Sequence, residues 1–283
     1  MSKTCQVFIL YWASEKHPWP TQFTLEAVKS IKELTDVPYE LVVVDNYSDP
    51  NCFEELKSKL PSDVKIVQND RSSRCINSGR NKVWRMVEAD YFALLHTDVR
   101  VSRGWLGNML TELMSAEEKY GKPCVISPLY MPYFVSDNKT YQRFSQHFTV
   151  DTLEKLEAYC SSSGVGFQNG NVVCQPSGFY TDDGHQLMIF LASKSFRDKV
   201  GEWDEQYTGS GYDDCDMGIT AILKGCKNLQ SQTVYIQHLQ GASIGVGQLQ
   251  GSGVNQQRFI EKWGKQWLDK MGDVWIRLHK EHP

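Results

Sequence analysis

Four short runs of β-branched and apolar residues, at 6–10, 41–45, 64–68 and 91–96, alternate with stretches whose apolar residues recur at helical spacing. That alternation restricts the chain to an α/β architecture. Between the first two runs, Ala27, Val28, Ile31 and Leu34 share one helical face; between the third and fourth, Ile76, Val83 and Val87 do the same. Strand–helix–strand units of this kind make right-handed crossovers, so the expected core is a mostly parallel central sheet flanked by helices. Ligands of such sheets sit beyond the carboxyl ends of the strands. The positions singled out are Tyr11 with Trp12, Asp45 with Asn46, and His96-Thr97-Asp98, and the fourth strand is expected next to the strand that Asp45 ends.

After residue 128 the pattern changes. Residues 130–148 are aromatic and irregular, with Tyr130, Tyr133, Phe134, Tyr141, Phe144 and Phe148, and 161–181 are rich in Ser, Gly, Asn and Gln. This reads as an insertion that shapes a second binding surface. A strand at 187–192, a helix at 214–225 and a strand at 233–238 follow. Then come glycines at 241, 245, 247, 251 and 253 and an amphipathic helix at 254–270.

Composition removes several classes. With 30 Lys+Arg against 34 Asp+Glu and 41% hydrophobic residues, the chain is neither disordered nor a predominantly electrostatic nucleic-acid binder. No apolar run approaches a membrane span and no signal-peptide pattern opens the chain, so a cytoplasmic protein is expected. Cys5, Cys52, Cys75, Cys124, Cys160, Cys174, Cys215 and Cys226 show no metal-ligand spacing and read as reduced core thiols. The first strand–helix junction, 11–20, holds no glycine, so the dinucleotide fingerprint of an oxidoreductase is absent.

Asp45, at a strand end, is either a turn cap or an acceptor for a base or ribose. Asp98 is either a turn residue or a ligand for a hard divalent ion whose shell phosphate oxygens and waters complete. His238, ending another strand before a glycine-rich stretch, is either structural or a second metal ligand. Asp213, Asp214 and Asp216 crowd one helix start; capping needs a single acid, and packing like charges raises at least one pKa, which suits a general base. Arg71, Arg74, Arg80, Lys82 and Arg85 form the densest basic cluster, mostly a solvated helix face, from which one or two cations, with Asn77 and Asn81, can engage a diphosphate.

Taken in order, these segments resemble family-2-like glycosyltransferases of the GT-A fold. Leu41-Val-Val-Val-Asp45 is similar to the nucleotide-binding strand, Asn77-Ser-Gly-Arg-Asn81 to the Arg-Asn-x-Gly segment, and Leu94-Leu-His-Thr-Asp98 to the strand carrying D-x-D. Val200-Gly-Glu-Trp-Asp-Glu205 with Tyr212-Asp-Asp-Cys-Asp216 resembles the G-x-F-D-E … E-D-x-D-L segment. Val234-Tyr-Ile-Gln-His238 resembles the strand carrying a metal-binding His, and Lys262-Trp263-Gly264 the terminal K-W-G helix. The chain departs from the family pattern at His96, Asn46, Asp213 and Thr220, where the family usually has acids at the first two, Glu at the third and often Arg at the fourth.

The resemblance implies one GT-A domain over 1–283: a nucleotide-sugar half at 1–128, an acceptor and catalytic half at 129–253 and a helical tail at 254–283. It implies inverting transfer from a nucleoside-diphosphate sugar, most often a UDP-sugar, to an acceptor hydroxyl. Asp214, with Asp213 beside it, is then the catalytic base; Asp98 and His238 hold Mn²⁺ or Mg²⁺; and Tyr11, Asp45, Asn77, Arg80, Asn81, Thr97 and Asp98 bind the donor. The acceptor is left open among a saccharide, a lipid-linked glycan, a protein, a small molecule or a modified nucleic-acid base. The alternative is a non-catalytic sugar-nucleotide or glycan-binding protein on a degenerate GT-A fold.

Overall fold

A computed structural model describes residues 5–70, 75–132, 166–168, 171–173, 187–209, 211–238 and 252–266. In chain order the elements are β1 (Cys5–Tyr11), α1 (Trp19–Leu34), β2 (Glu40–Asp45), α2 (Pro50–Lys59), β3 (Lys65–Gln68), α3 (Ile76–Met86), β4 (Tyr91–His96), β5 (Val99–Val101), α4 (Trp105–Tyr120) and β6 (Cys124–Pro132). A hairpin of β7 (Gly166–Gln168) and β8 (Asn171–Val173) precedes β9 (Phe190–Ser193), α5 (Lys194–Val200), α6 (Asp213–Leu223), β10 (Lys227–His238) and α7 (Ser252–Trp263).

Eight strands form one sheet in the order β3-β2-β1-β4-β9-β6-β10-β5. The β1–β2, β1–β4, β2–β3 and β6–β10 pairs are parallel, while β9 runs antiparallel to β4 and β6, and β5 antiparallel to β10. The mostly parallel sheet expected from the sequence is present. One detail differs: the strand of Asp98 is not beside that of Asp45, because β1 lies between β2 and β4. The chain order therefore reverses around β1, which opens the crevice at its carboxyl end.

Alternate residues along each strand feed two apolar layers, as a sheet buried on both faces requires. Val7, Ile9, Val43, Ala93 and Leu95 pack with Ala27, Val28 and Ile31 of α1, Leu56 of α2 and Trp105 and Met109 of α4. On the other face, Phe8, Leu10, Val42, Phe92 and Phe190 pack with Val83 and Trp84 of α3, Phe196 of α5 and Met217 and Ala221 of α6. Trp84 meets Phe92 and Trp203 edge-on, at 5.2 and 5.5 Å between centroids.

Two helices stop earlier than their apolar periodicity suggests. α6 ends at Leu223 because Gly225, at φ 75°, turns the chain left-handed and its N–H closes on Ile222 O at 2.8 Å. α7 ends at Trp263, followed by Gly264 at φ 90°. β10 begins well before residue 233 and its register with β6 shifts between Gln230 and Tyr235. The six described cysteines are buried free thiols. Among the described residues no helix is long and apolar enough to cross a membrane.

Candidate active site

β4 delivers His96 to its carboxyl end, and only Thr97 and Asp98 separate it from β5, which pairs with β10 at the sheet edge. β10 returns antiparallel to β5 with His238 opposite Val99. The register therefore places His238 one residue from Asp98. His238 Nε2 lies 3.3 Å from Asp98 Oδ1 and 3.3 Å from His96 Nδ1, and donor atoms of all three side chains lie within 4.8 Å of one another.

Three donors this close fit a divalent cation. Ligand bonds of roughly 2.0–2.2 Å put neighbouring donors about 3 Å apart. His96 Nε2 is buried with no hydrogen-bond partner, and burial, with His238 and Arg80 adding to it, pushes the His96 imidazole down to about 3, so the ring is neutral. Burial pushes the Asp98 carboxyl up, but His238, His96 and a backbone N–H together hold it below the usual carboxylate value. Two imidazoles and one carboxylate are a softer set than the all-oxygen shell that Mg²⁺ favours.

The second group of acids stands at the start of α6. Tyr212, at φ 65°, takes the N-cap position without a side-chain cap, so the carboxylates of the first turn are released for other partners. Asp213 forms a buried ion pair with Arg80 of α3 and accepts from Gly211 N at 2.8 Å. Asp216 accepts from Tyr207 OH (3.1 Å), Trp263 Nε1 (2.6 Å) and Lys262 Nζ (2.9 Å), and so fastens α6 to α7. Asp214 accepts from Cys215 N at 3.0 Å, on Oδ1. Burial first, then the neighbouring Asp213, raises its carboxyl to about 7, against the opposing pull of Arg80. A carboxylate poised near neutrality can take a proton at physiological pH.

α3 ties these pieces together. Asn77, Arg80, Asn81 and Trp84 are spaced i, i+3, i+4, i+7 and share the buried face. Asn77 Nδ2 donates to Asp204 O at 2.8 Å and its Oδ1 accepts from Arg80 Nη1 at 2.9 Å. Arg80 lies over the Trp203 ring, 4.3 Å from the centroid, and its charge also bears on His96. Asn81 clamps the 203–205 segment, donating to Trp203 O (3.0 Å) and Glu205 Oε1 (2.9 Å) and accepting from Trp203 N (2.8 Å). Gly79 lets α3 approach β1 and β2: a Cβ there would lie 2.5 Å from Leu10 and 2.9 Å from Asn46.

At the ends of β1 and β2, Asp45 is fully buried and already engaged. Its carboxylate accepts from Ser48 N (3.1 Å), Ser48 Oγ and Gln68 Nε2 (2.9 Å). The turn-cap alternative is thus realised in the structure. Tyr11 OH shares a hydrogen bond with Thr21 Oγ1 at 2.9 Å and donates to Cys52 O at 3.1 Å; burial pushes the phenol up.

Of the residues singled out in the sequence, Asp98 and His238 converge, Thr97 is buried between two donors, and Asp213 and Asp214 stand together. Asn77, Arg80 and Asn81 converge instead on the 203–205 segment and on Asp213. Tyr11 carries its ring into the core under α1 and α2. His96 stands where the family usually has an acid, and its position two residues before Asp98, at the end of the same apolar run, is the signal that it is a donor too. Of the basic cluster, Lys82 and Arg85 are half-buried and partly exposed, Arg85 pairing with Glu202. Arg71, Arg74, nearly all of the 130–181 insertion, the glycine-rich stretch up to 251 and residues beyond 266 lie outside the described residues.

This combination of a reversed-order sheet and acids, imidazoles and a helix start gathered at its strand ends defines the GT-A class. The family model described as Glycosyl transferase family 2 matches residues 21–168, more than half the chain, and the chain belongs to that family. It is 23% identical over 210 residues to the chondroitin synthase of Pasteurella multocida (strain Pm70), an alignment covering 69% of this chain and 21% of that protein. The chain thus spans about a fifth of the length of that curated relative. Among solved structures it is similar to GalNAc-T7 with UDP, GalNAc and Mn²⁺, at a TM-score of 0.61 and 14% identity over 94% of this chain and 49% of the other. It also matches S. aureus TarS 1-349 in complex with UDP, at a TM-score of 0.47 and 15% identity over 83% of this chain and 60% of the other.

Proposed function

We propose that this glycosyltransferase domain moves a sugar, with inversion, from a UDP-sugar to an acceptor hydroxyl. The observation that carries the reading is the meeting of His96, Asp98 and His238 at the strand ends, linked through Arg80 to the acids of α6. The names of similar proteins, which include a chondroitin synthase and a structure holding UDP, GalNAc and Mn²⁺, support the donor class.

His96, Asp98 and His238 would hold Mn²⁺. When bound, the ion supplies positive charge to the departing diphosphate. Asp214 takes the proton of the acceptor hydroxyl as that oxygen attacks the anomeric carbon; the hydrogen bond from Cys215 N falls on Oδ1, which directs the proton to Oδ2. Asp213 raises the proton affinity of Asp214, and Arg80 limits that rise by pairing with Asp213. Asn77 and Asn81 hold the 203–205 segment against α3 and so keep α6 in register with the metal donors. Asp45, buried and bonded to Ser48 and Gln68, acts on the nucleoside only by shaping the turn that it caps.

Thermal-shift measurements with UDP, GDP, CDP and TDP, each with and without Mn²⁺, test the donor and the ion together. UDP should stabilise the chain only when Mn²⁺ is present, and Asp98→Ala and His238→Ala should abolish the effect. Nucleotide stabilisation that persists in both variants removes the metal assignment.

A further inference from the structure

The turn after β2 is held from every side. Asn46 N donates to Tyr11 O (2.7 Å), Asn46 Nδ2 to Cys75 O (3.2 Å) and Asn69 Nδ2 to Asn46 Oδ1 (2.9 Å). Ser48 Oγ accepts from Ala13 N (2.9 Å) while donating to Asp45. The residue between Asn46 and Ser48 is Tyr47, and it breaks two rules of economical folding. Its φ is 66°, the left-handed region in which a bulky side chain is strained and glycine is at ease. Its side chain is 52% exposed, so the strain is not compensated by burial in the core. Strain of this sort persists where surrounding structure over-determines it, and it gathers at ligand sites.

The turn stands at the carboxyl end of β2, beside the end of β1, where the strand order reverses. We infer that the Tyr47 ring is a stacking platform for the nucleobase of the donor. The inference rests on the nucleotide-sugar reading above and adds to it a residue that contacts the base by its flat face. Stacking on an aromatic ring tolerates any base, because every base has a π-face. Tyr47 therefore contributes affinity to all nucleotides alike and does not itself discriminate between bases.

Isothermal titration with UDP and, separately, with inorganic pyrophosphate, both in Mn²⁺, tests this on wild type, Tyr47→Phe, Tyr47→Ala and Tyr47→Gly, with ligand-free melting temperatures recorded alongside. Phe should keep UDP affinity, and Ala and Gly should weaken it roughly tenfold or more. Pyrophosphate affinity should be the same in all four. Tyr47→Gly should melt at a higher temperature than wild type, because glycine relieves the left-handed strain. A structural role for Tyr47 predicts the opposite sign. If wild type binds UDP and Tyr47→Gly binds it equally well, or if pyrophosphate weakens in parallel, the stacking role is wrong and the donor reading stands. If wild type binds none of UDP, GDP, CDP and TDP, the donor reading fails and this inference fails with it.

Discussion

Arg80 of α3 and Asp213 of α6 form an ion pair whose side chains are only 2% and 3% exposed, so the charge of the arginine is already matched inside the protein. Removing one partner of such a pair leaves a buried charge alone, at a cost of about 3–5 kcal/mol. Arg80→Gln should therefore destabilise the chain by about that amount in chemical denaturation, and adding Asp213→Asn should recover much of it, since neither charge is then unpaired. The single variant should also move the acid limb of kcat/KM to higher pH. Loss of the cation raises the Asp214 carboxyl further, so less of it is ionised at neutrality. The donor KM should stay nearly unchanged, whereas an arginine that binds phosphate would raise it.

Asp214→Asn should keep UDP and Mn²⁺ binding and lose transfer by roughly 10²–10⁴-fold, the usual contribution of a positioned base. Its effect on stability has a defined sign. The folded-state value of about 7 lies above the ordinary 3.8, so the folded chain holds a proton that the unfolded chain gives up between those values. The stability that this proton provides is complete below the ordinary value and is lost as pH rises through about 7. Melting temperatures measured from pH 4 to 8 should fall less steeply in Asp214→Asn than in wild type, and at pH 8 the variant should be the more stable of the two.

His96→Ala tests the donor that replaces an acid. If His96 completes the metal set, Mn²⁺ affinity measured by isothermal titration should drop by at least roughly 10–100-fold, since even groups behind the ligands are worth that much. His96→Asp should restore part of the affinity and shift preference toward Mg²⁺, because a carboxylate is the harder donor. Unchanged Mn²⁺ binding in His96→Ala would leave only Asp98 and His238 as ligands.

Asp216 joins α6 to α7. It receives Tyr207 OH and Trp263 Nε1, so its replacement by Ala strands both donors, while Lys262 Nζ keeps Asp204. The expected cost is about 1–3 kcal/mol per buried group left unpaired. Amide hydrogen exchange should rise through α7, residues 252–263, while UDP affinity stays within error of wild type.

Much of this was legible in the sequence because β1, β2 and β4 are continuous apolar runs, and a run that ends abruptly in Asp45 or in His96-Thr97-Asp98 announces the end of a strand. His238 was legible for the same reason. Arg80 was not, since a cation in a basic cluster suggests solvent or phosphate. Its true surroundings follow from the i, i+3, i+4, i+7 spacing of Asn77, Arg80, Asn81 and Trp84, a buried stripe made of polar residues that hydropathy alone does not detect. α2 was hidden because Asp49-Pro50 reads equally as a turn and as the cap and first position of a helix. The antiparallel entries of β9 and β5 depend on pairings between distant segments, to which local periodicity is blind.

The interleaving of the sheet has a cost during synthesis. β9 slots between β4 and β6, and β10 between β6 and β5, so among the described residues β5 and β6 pair only with strands that follow residue 189. A nascent polypeptide released from the ribosome up to that point carries unsatisfied backbone edges on segments that must wait for the C-terminal third to arrive. Such long-range closure is slow and leaves those edges open to strangers meanwhile. The sheet can thus close only when His238 has emerged, so the last of the described strands to be made both completes the pairing and brings the third donor to His96 and Asp98.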